Sequence, residues 1–151
     1  MAHNPINHPA RSTWRALGGL IGLYLVVFGA IGAAATAGDG FFAQDTERVL
    51  GQGTNLANSV LSILVGGVVL ISVLIGRNVD VAVNKILAYA LMVIGLGSLA
   101  VIRTDANYLA HSVTTTIVFM SLGMVLLLSS MYGKVGTDDE HEAWQRARLE
   151  F

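Results

Sequence analysis

Apolar and polar positions separate along this chain into four long apolar stretches, near residues 16–37, 55–75, 83–102 and 109–132, divided by polar connections. Each stretch is about 20 residues, the length of α-helix needed to cross a hydrocarbon layer ~30 Å thick. The pattern predicts an all-α fold, a four-helix transmembrane bundle. Residues 1–15 read as a polar arm carrying both prolines, Pro5 and Pro9. Residues 38–54 form the longest connection, with Phe41 and Phe42 placed to dip into the membrane interface. Residues 76–82 and 103–108 read as tight turns, and residues 133–151 as a charged tail.

The stretches carry a trace of internal repetition. The second opens Leu56-Ala57-Asn58-Ser59-Val60 and the fourth Leu109-Ala110-His111-Ser112-Val113, and both close on glycine plus a base, Gly76-Arg77 and Gly133-Lys134. Val27-Phe28-Gly29 stands beside Val93-Ile94-Gly95. A duplicated two-helix hairpin would give this pattern, with a pseudo-twofold along the membrane normal; chance likeness among low-diversity apolar helices is the alternative. Small residues four apart also recur: Gly18 with Gly22, Gly29 with Ala33, and Ser62 with Gly66. That spacing lets helix backbones approach closely, in packing within the bundle or against a second copy or partner.

Composition agrees with a membrane location. Hydrophobic residues make up 54 % and charged residues 13 %, against roughly 25 % charged in soluble domains, and the mean hydropathy is +0.63. The net charge of −1 comes without a basic cluster, so nucleic acid is not an expected partner. The chain has no cysteine, which excludes disulfides and thiolate metal sites. Of nine Lys and Arg, seven flank the termini or the second connection (Arg11, Arg15, Arg77, Lys85, Lys134, Arg146, Arg148), and Arg48 and Arg103 lie in the other two connections. Positive charge collects on the cytoplasmic side of short loops, which predicts a multi-pass protein of a bacterial cytoplasmic membrane with both termini cytoplasmic. Ala35-Thr36-Ala37 before Gly38 also fits a signal-peptide cleavage site, but the preceding apolar run is longer than the usual 7–15 residues.

Candidate chemistry is sparse. No Asp or Glu lies inside the four stretches as bounded above, which argues against proton- or cation-coupled transport. His111 is the one histidine near a span, about one turn inside the fourth stretch; His3 and His8 sit in the opposite arm, so paired-histidine haem lacks a partner at matching depth. Asn55, Asn58, Ser59 and Ser62 form a polar stripe on the second stretch, and His111, Thr114 and Thr115 lie at similar depth on the fourth. One reading is a small pocket for a lipid head group or quinone. The other is interhelical hydrogen bonding, worth about 0.6–2 kcal/mol per contact. Arg103 is placed to pair with Asp105, or with Asp39, Asp45 or Glu47. In the tail, Thr137 and Glu140 have capping-box spacing, Glu142 and Arg146 are four apart, and Trp144, Ala147 and Phe151 share a helical face that fits a partner or the membrane surface.

Asn7-His8-Pro9, Phe41-Phe42-Ala43, Ile75-Gly76-Arg77-Asn78-Val79-Asp80, Arg103-Thr104-Asp105 and Tyr132-Gly133-Lys134-Val135-Gly136 together resemble a family of small four-span actinobacterial membrane proteins grouped as a domain of unknown function. The resemblance spans most of residues 6–136 and implies location and topology, with no catalytic residue to carry over. The expected function is therefore that of a small non-enzymatic membrane protein, structural or accessory. It would act through helix and loop contacts with membrane lipid, a larger membrane complex or further copies of itself, without a cofactor or metal. A binding or transport module for a small lipophilic molecule, built on the polar cluster, is the second reading. An enzyme subunit working with a partner's cofactor is the third.

Overall fold

The computed structural model describes residues 4–44 and 47–149. Four helices are long and apolar enough to cross a membrane: α1 (Arg11–Ala35), α2 (Leu56–Ile75), α3 (Val79–Val101) and α4 (Val113–Tyr132). A short hairpin, β1 (Glu47–Val49) and β2 (Gln52–Thr54), precedes α2, and α5 (Asp138–Leu149) follows α4. At 1.5 Å per residue, the 20-residue helices α2 and α4 are each about 30 Å long, one hydrocarbon thickness. This is the all-α bundle that the hydropathy pattern implies.

Local chemistry sets each helix end. Asn55 caps α2 by accepting from Asn58 N at 2.9 Å, and Gly76 closes it at φ +65°. Arg77 and Asn78 continue with φ of 51° and 66°, a tight reversal into α3. Ser112 caps α4 in a reciprocal box with Thr115. Leu50 and Gly51, both at positive φ, form the two-residue turn that joins β1 to β2 antiparallel.

Three boundaries differ from the hydropathy reading. The third helix starts at Val79 rather than near 83, so Asp80 is helical and buried, one turn before the buried Asn84. The first starts at Arg11, which places Arg15 within the helix. The fourth starts at Val113 rather than 109, because the Ser112 cap ends the preceding loop, so His111 lies outside the helix instead of one turn inside it.

The helices pack as two close hairpins, α1 with α2 and α3 with α4; lighter α1–α4 and α2–α3 contacts close the ring. Gly22 and Gly66 form the first crossing: a Cβ on Gly66 would sit 2.6 Å from the Gly22 carbonyl oxygen. Gly29 meets the Ser59 backbone, and Gly18 meets Asn84 and Ser129. In the second hairpin, Gly123 abuts the Ala88 carbonyl, with 2.8 Å left for a Cβ, and Gly95 abuts Thr116 and Met120. The candidate packing glycines Gly18, Gly22, Gly29 and Gly66 thus all face the interior of this chain's own bundle.

Burial repeats between the hairpins. Gly18, Gly22, Leu25, Gly29 and Gly32 of α1 correspond at constant separation to Asn84, Ala88, Leu91, Gly95 and Ser98 of α3, and all are buried. On α2 and α4 the pairs are Ser59 and Thr116, Gly66 and Gly123, Val69 and Leu126, Ser72 and Ser129, and the closing glycines Gly76 and Gly133. In this register Asn58 corresponds to Thr115, and His111 to Thr54. The matching strings around Asn58 and His111 are therefore offset from this register by one turn, and residues 109–112 correspond to residues 52–55 of the first half.

At the end carrying the termini, the arm and the segment after α4 are tied together. The Asn7 amide exchanges two hydrogen bonds with Gly136 (3.0 and 3.1 Å), and the Asn78 amide exchanges two with Val135 (2.8 and 2.7 Å). Arg11 Nε donates to Gly133 O at 2.9 Å, and Tyr132 stacks on Trp14 and meets His8 edge-on. Thr137 and Glu140 form the reciprocal cap of α5, whose His141 Nδ1 lies 2.7 Å from Ile6 O. Glu142 and Arg146 do not reach ion-pair distance, and Phe151 and His3 lie outside the described residues.

Candidate functional site

The end opposite the termini holds a buried polar cluster roofed by the β-hairpin. Strand β2 is buried along its length. Gly53 N donates to Ser112 Oγ at 3.0 Å, and Thr115 Oγ1 donates to Gly53 O at 2.8 Å, so the strand is pinned to the start of α4. Gln52 Nε2 donates to the Tyr24 hydroxyl of α1. Asn55 Nδ2 donates to Ala43 O and Tyr108 O, both at 2.9 Å, joining the long connection to the turn before α4.

Beneath this roof one chain of hydrogen bonds crosses the bundle. Asn58 Nδ2 donates to Thr54 Oγ1 at 3.1 Å, which leaves Asn58 Oδ1 as an acceptor for His111 Nε2, also at 3.1 Å. That contact requires the hydrogen on Nε2, so His111 Nδ1 accepts from Ser98 Oγ at 2.7 Å. Ser59 Oγ donates to Asn55 O at 2.7 Å, and the Thr54 hydroxyl completes the chain towards Ser59 at 3.2 Å. Ser98 on α3, His111 before α4, Asn58 and Ser59 on α2 and Thr54 on β2 are thereby joined in one direction of donation. His111 is 1 % exposed, stacks edge-on to Phe119 at 5.0 Å, and has its backbone clasped by the Asn107 amide through two 3.0 Å bonds. Burial pushes its pKa down from 6.5 to about 4, so the ring is neutral near pH 7.

The structure brings Asn58 and His111 of the expected cluster into direct contact. Asn55 and Thr115 flank them, Asn55 binding loop backbone and Thr115 the backbone of β2 instead of the imidazole. The Ser62 hydroxyl and Gln52 Oε1 are buried without a hydrogen-bond partner. Sequence reasoning missed Thr54, Ser98, Gln52 and Tyr24. Thr54 was hidden in a connection read as plain loop. Ser98 could have been found as an isolated hydroxyl at the matching depth on the third stretch.

A second polar layer lies towards the termini. Asp80 is 3 % exposed, with Oδ2 3.6 Å from Arg15 Nε, while Arg15 donates through Nε and Nη2 to Val73 O. Asn84 Nδ2 donates to Ser129 Oγ at 3.2 Å, and Ser129 Oγ donates to Trp14 O at 2.8 Å. The expectation that no carboxylate lies within a span thus fails at Asp80: the Arg15 charge beside it makes the burial tolerable. Arg15–Asp80 is the ion pair among the described residues; Arg103 pairs with none of Asp39, Glu47 and Asp105, and Asp45 lies outside them. Between the two polar layers stand Leu25, Phe28, Val69, Leu91, Phe119 and Leu126, each at most 2 % exposed. Among the described residues no group of three potential His, Asp or Glu metal ligands forms. No family model, curated protein or solved structure matches the chain.

Proposed function

We propose that this chain is a non-enzymatic integral membrane protein of a bacterial cytoplasmic membrane, structural or accessory in role. It acts through its helix faces and loops on lipid or a larger membrane complex. The supporting observation is the hydrogen-bond chain from Ser98 through His111, Asn58 and Thr54 to Ser59. It occupies both ring nitrogens of His111 and both amide positions of Asn58, the strongest candidate functional groups, in holding α2, α3, α4 and the β-hairpin together. The buried apolar layer between the polar layers supports the same reading, since a solute crossing the bundle would have to displace it.

The test is purification in mild detergent with identification of co-purifying proteins and lipids. A membrane protein or lipid set should co-purify with the wild-type chain, and His111→Ala should leave both the fold and that set unchanged. The loss is two hydrogen bonds of about 1 kcal/mol each and the Phe119 contact, against the close packing of four helices. If His111→Ala instead abolishes a bound small molecule, the second reading holds: a binding module for a lipophilic ligand. The unpartnered Ser62 hydroxyl and Gln52 Oε1 are the observation that favours it.

The seven-to-two charge split supports termini in the cytoplasm. A cytoplasmic reporter fused after Phe151 and a periplasmic reporter inserted near Gly51 should both be active. Inactivity of both, with activity of the swapped pair, overturns the orientation.

A further inference from the structure

Beside the polar cluster, a cleft of about 390 Å³ opens at the end of the bundle between Gln44 and the turn of residues 102–112. Its uncharged polar groups are already engaged. Gln44 Nε2 donates to Asp105 O at 2.7 Å, Thr104 Oγ1 donates to Val101 O at 2.9 Å, and the Asn107 amide holds the His111 backbone. His111 and Ser112 form a floor fixed by the buried network. Two charges remain on the rim, Arg103 and Asp105. They are two residues apart and both exposed, yet they form no ion pair with each other or with another described residue.

The cleft also lies at a definite depth. Helix α3 ends at Val101 and α4 begins at Val113, so Arg103 and Asp105 stand just past the ends of two helices of membrane-spanning length. Phe41, Phe42 and Tyr108 are exposed nearby, with Phe42 packed edge-on to Tyr108 at 6.2 Å. Exposed aromatics at helix ends mark the zone of lipid head groups.

We propose that this cleft binds the head group of a zwitterionic phospholipid with a primary ammonium, of the phosphatidylethanolamine type. The inference rests on the reading of the chain as a lipid-contacting membrane bundle. Arg103 takes the phosphate, which a guanidinium fits through paired N–H donors. Asp105 takes the ammonium, which donates to a carboxylate as a quaternary trimethylammonium cannot. One positive and one negative side chain, not paired with each other, match a ligand with both charges, and Asp105 disfavours a net anion. The aromatic side chains border the acyl chains.

Native mass spectrometry of the full chain in detergent, titrated with phosphatidylethanolamine, phosphatidylcholine and phosphatidylglycerol, tests this. Phosphatidylethanolamine should bind tighter than the other two by a factor of roughly five, the worth of one solvent-screened, charge-assisted hydrogen bond. Arg103→Gln should weaken it by a similar factor. Asp105→Asn should erase the preference over phosphatidylcholine and raise binding of phosphatidylglycerol. Neither side chain contributes to the buried networks, so both variants should unfold at the wild-type temperature. Equal binding of the three lipids by the wild-type chain overturns the proposal. So does an unchanged preference in both variants. Equal affinity for free phosphoethanolamine also overturns it, because the ligand would then be a soluble zwitterion. Co-purification of a membrane complex with the wild-type chain is read without added lipid, so the accessory role and the head-group site can fail separately.

Discussion

Gly66→Leu is expected to abolish packing of the first helical hairpin, and Gly66→Ala alone to cost about 2 kcal/mol. A Cβ at this position would lie 2.6 Å from Gly22 O, 2.8 Å from Val26 N and 2.9 Å from Leu25 Cβ. Two of these are backbone atoms, which cannot swing aside, so α1 and α2 must move apart. Overpacking of this kind typically costs about 1–3 kcal/mol. The loss is felt directly because membrane helices associate through close packing, without a hydrophobic drive between them. Gly67 is the control one residue along, where a Cβ meets nothing within 4 Å; Gly67→Ala should be neutral or slightly stabilising through helix propensity. Gly18→Ala should fall between, since its Cβ meets side-chain atoms of Asn84 (3.0 Å) and Ser129 (3.1 Å) that can shift. Thermal unfolding in mild detergent, with size-exclusion profiles, gives the order. Equal midpoints for the alanine variants of Gly66 and Gly67 would remove the crossing from the account.

The fold class was legible because bilayer thickness imposes one length on every span, and hydropathy reports that length directly. The ends of the spans were harder to read. Asp80 looks like a turn residue to any measure of hydropathy. It belongs to α3 because Arg15, remote in sequence, lies against it, and Ser129 holds Asn84 one turn on. The start of α4 was obscured by a motif likeness. The strings around Asn58 and His111 invite alignment, yet the Ser112–Thr115 capping box puts the helix start one turn later. Thr115 supplies the second half of that box where Glu or Gln is usual. In the candidate site, a stripe on one helix was visible from spacing alone. Its partners were not, because Thr54 and Ser98 reach it through the β-hairpin and the third helix, and a one-dimensional pattern carries no record of which loops fold inward. The two halves of the chain nonetheless repeat their buried positions, so the polar cluster falls where the second repeat departs from the first. The second half has the shorter connection between its helices, residues 102–112 against 36–55, and it delivers His111 to the space beside Asn58.

His111 should make the folded state acid-sensitive from the face that carries the β-hairpin. Its pKa falls from 6.5 to about 4 on folding, through burial. Between these values the unfolded chain binds a proton that the folded chain excludes, so stability declines as pH drops through that window and is unaffected by His111 above pH 6.5. The difference sets a ceiling of about 3 kcal/mol, reached near pH 4. The groups that face the ring offer no compensation to a charged imidazole. Ser98 of α3 donates to Nδ1, Asn58 of α2 accepts from Nε2, and Phe119 of α4 packs against the ring. Asn107 holds only the His111 backbone. Arg103 and Asp105, on the rim of the adjoining cleft, are exposed and opposite in sign. Protonation would force Nδ1 to become a donor, breaking the directed chain at Ser98 and releasing the roof of β2 in turn. The measurement is unfolding of purified protein between pH 7.5 and 4, wild type against His111→Gln, which removes the titrating group. Acidic side chains elsewhere contribute equally to both, so the difference curve isolates His111. It should be flat above pH 6.5 and should then shift in favour of the variant as pH falls. A flat difference throughout would mean that the imidazole is protonated without cost, and the buried network would lose its claim to hold His111 neutral.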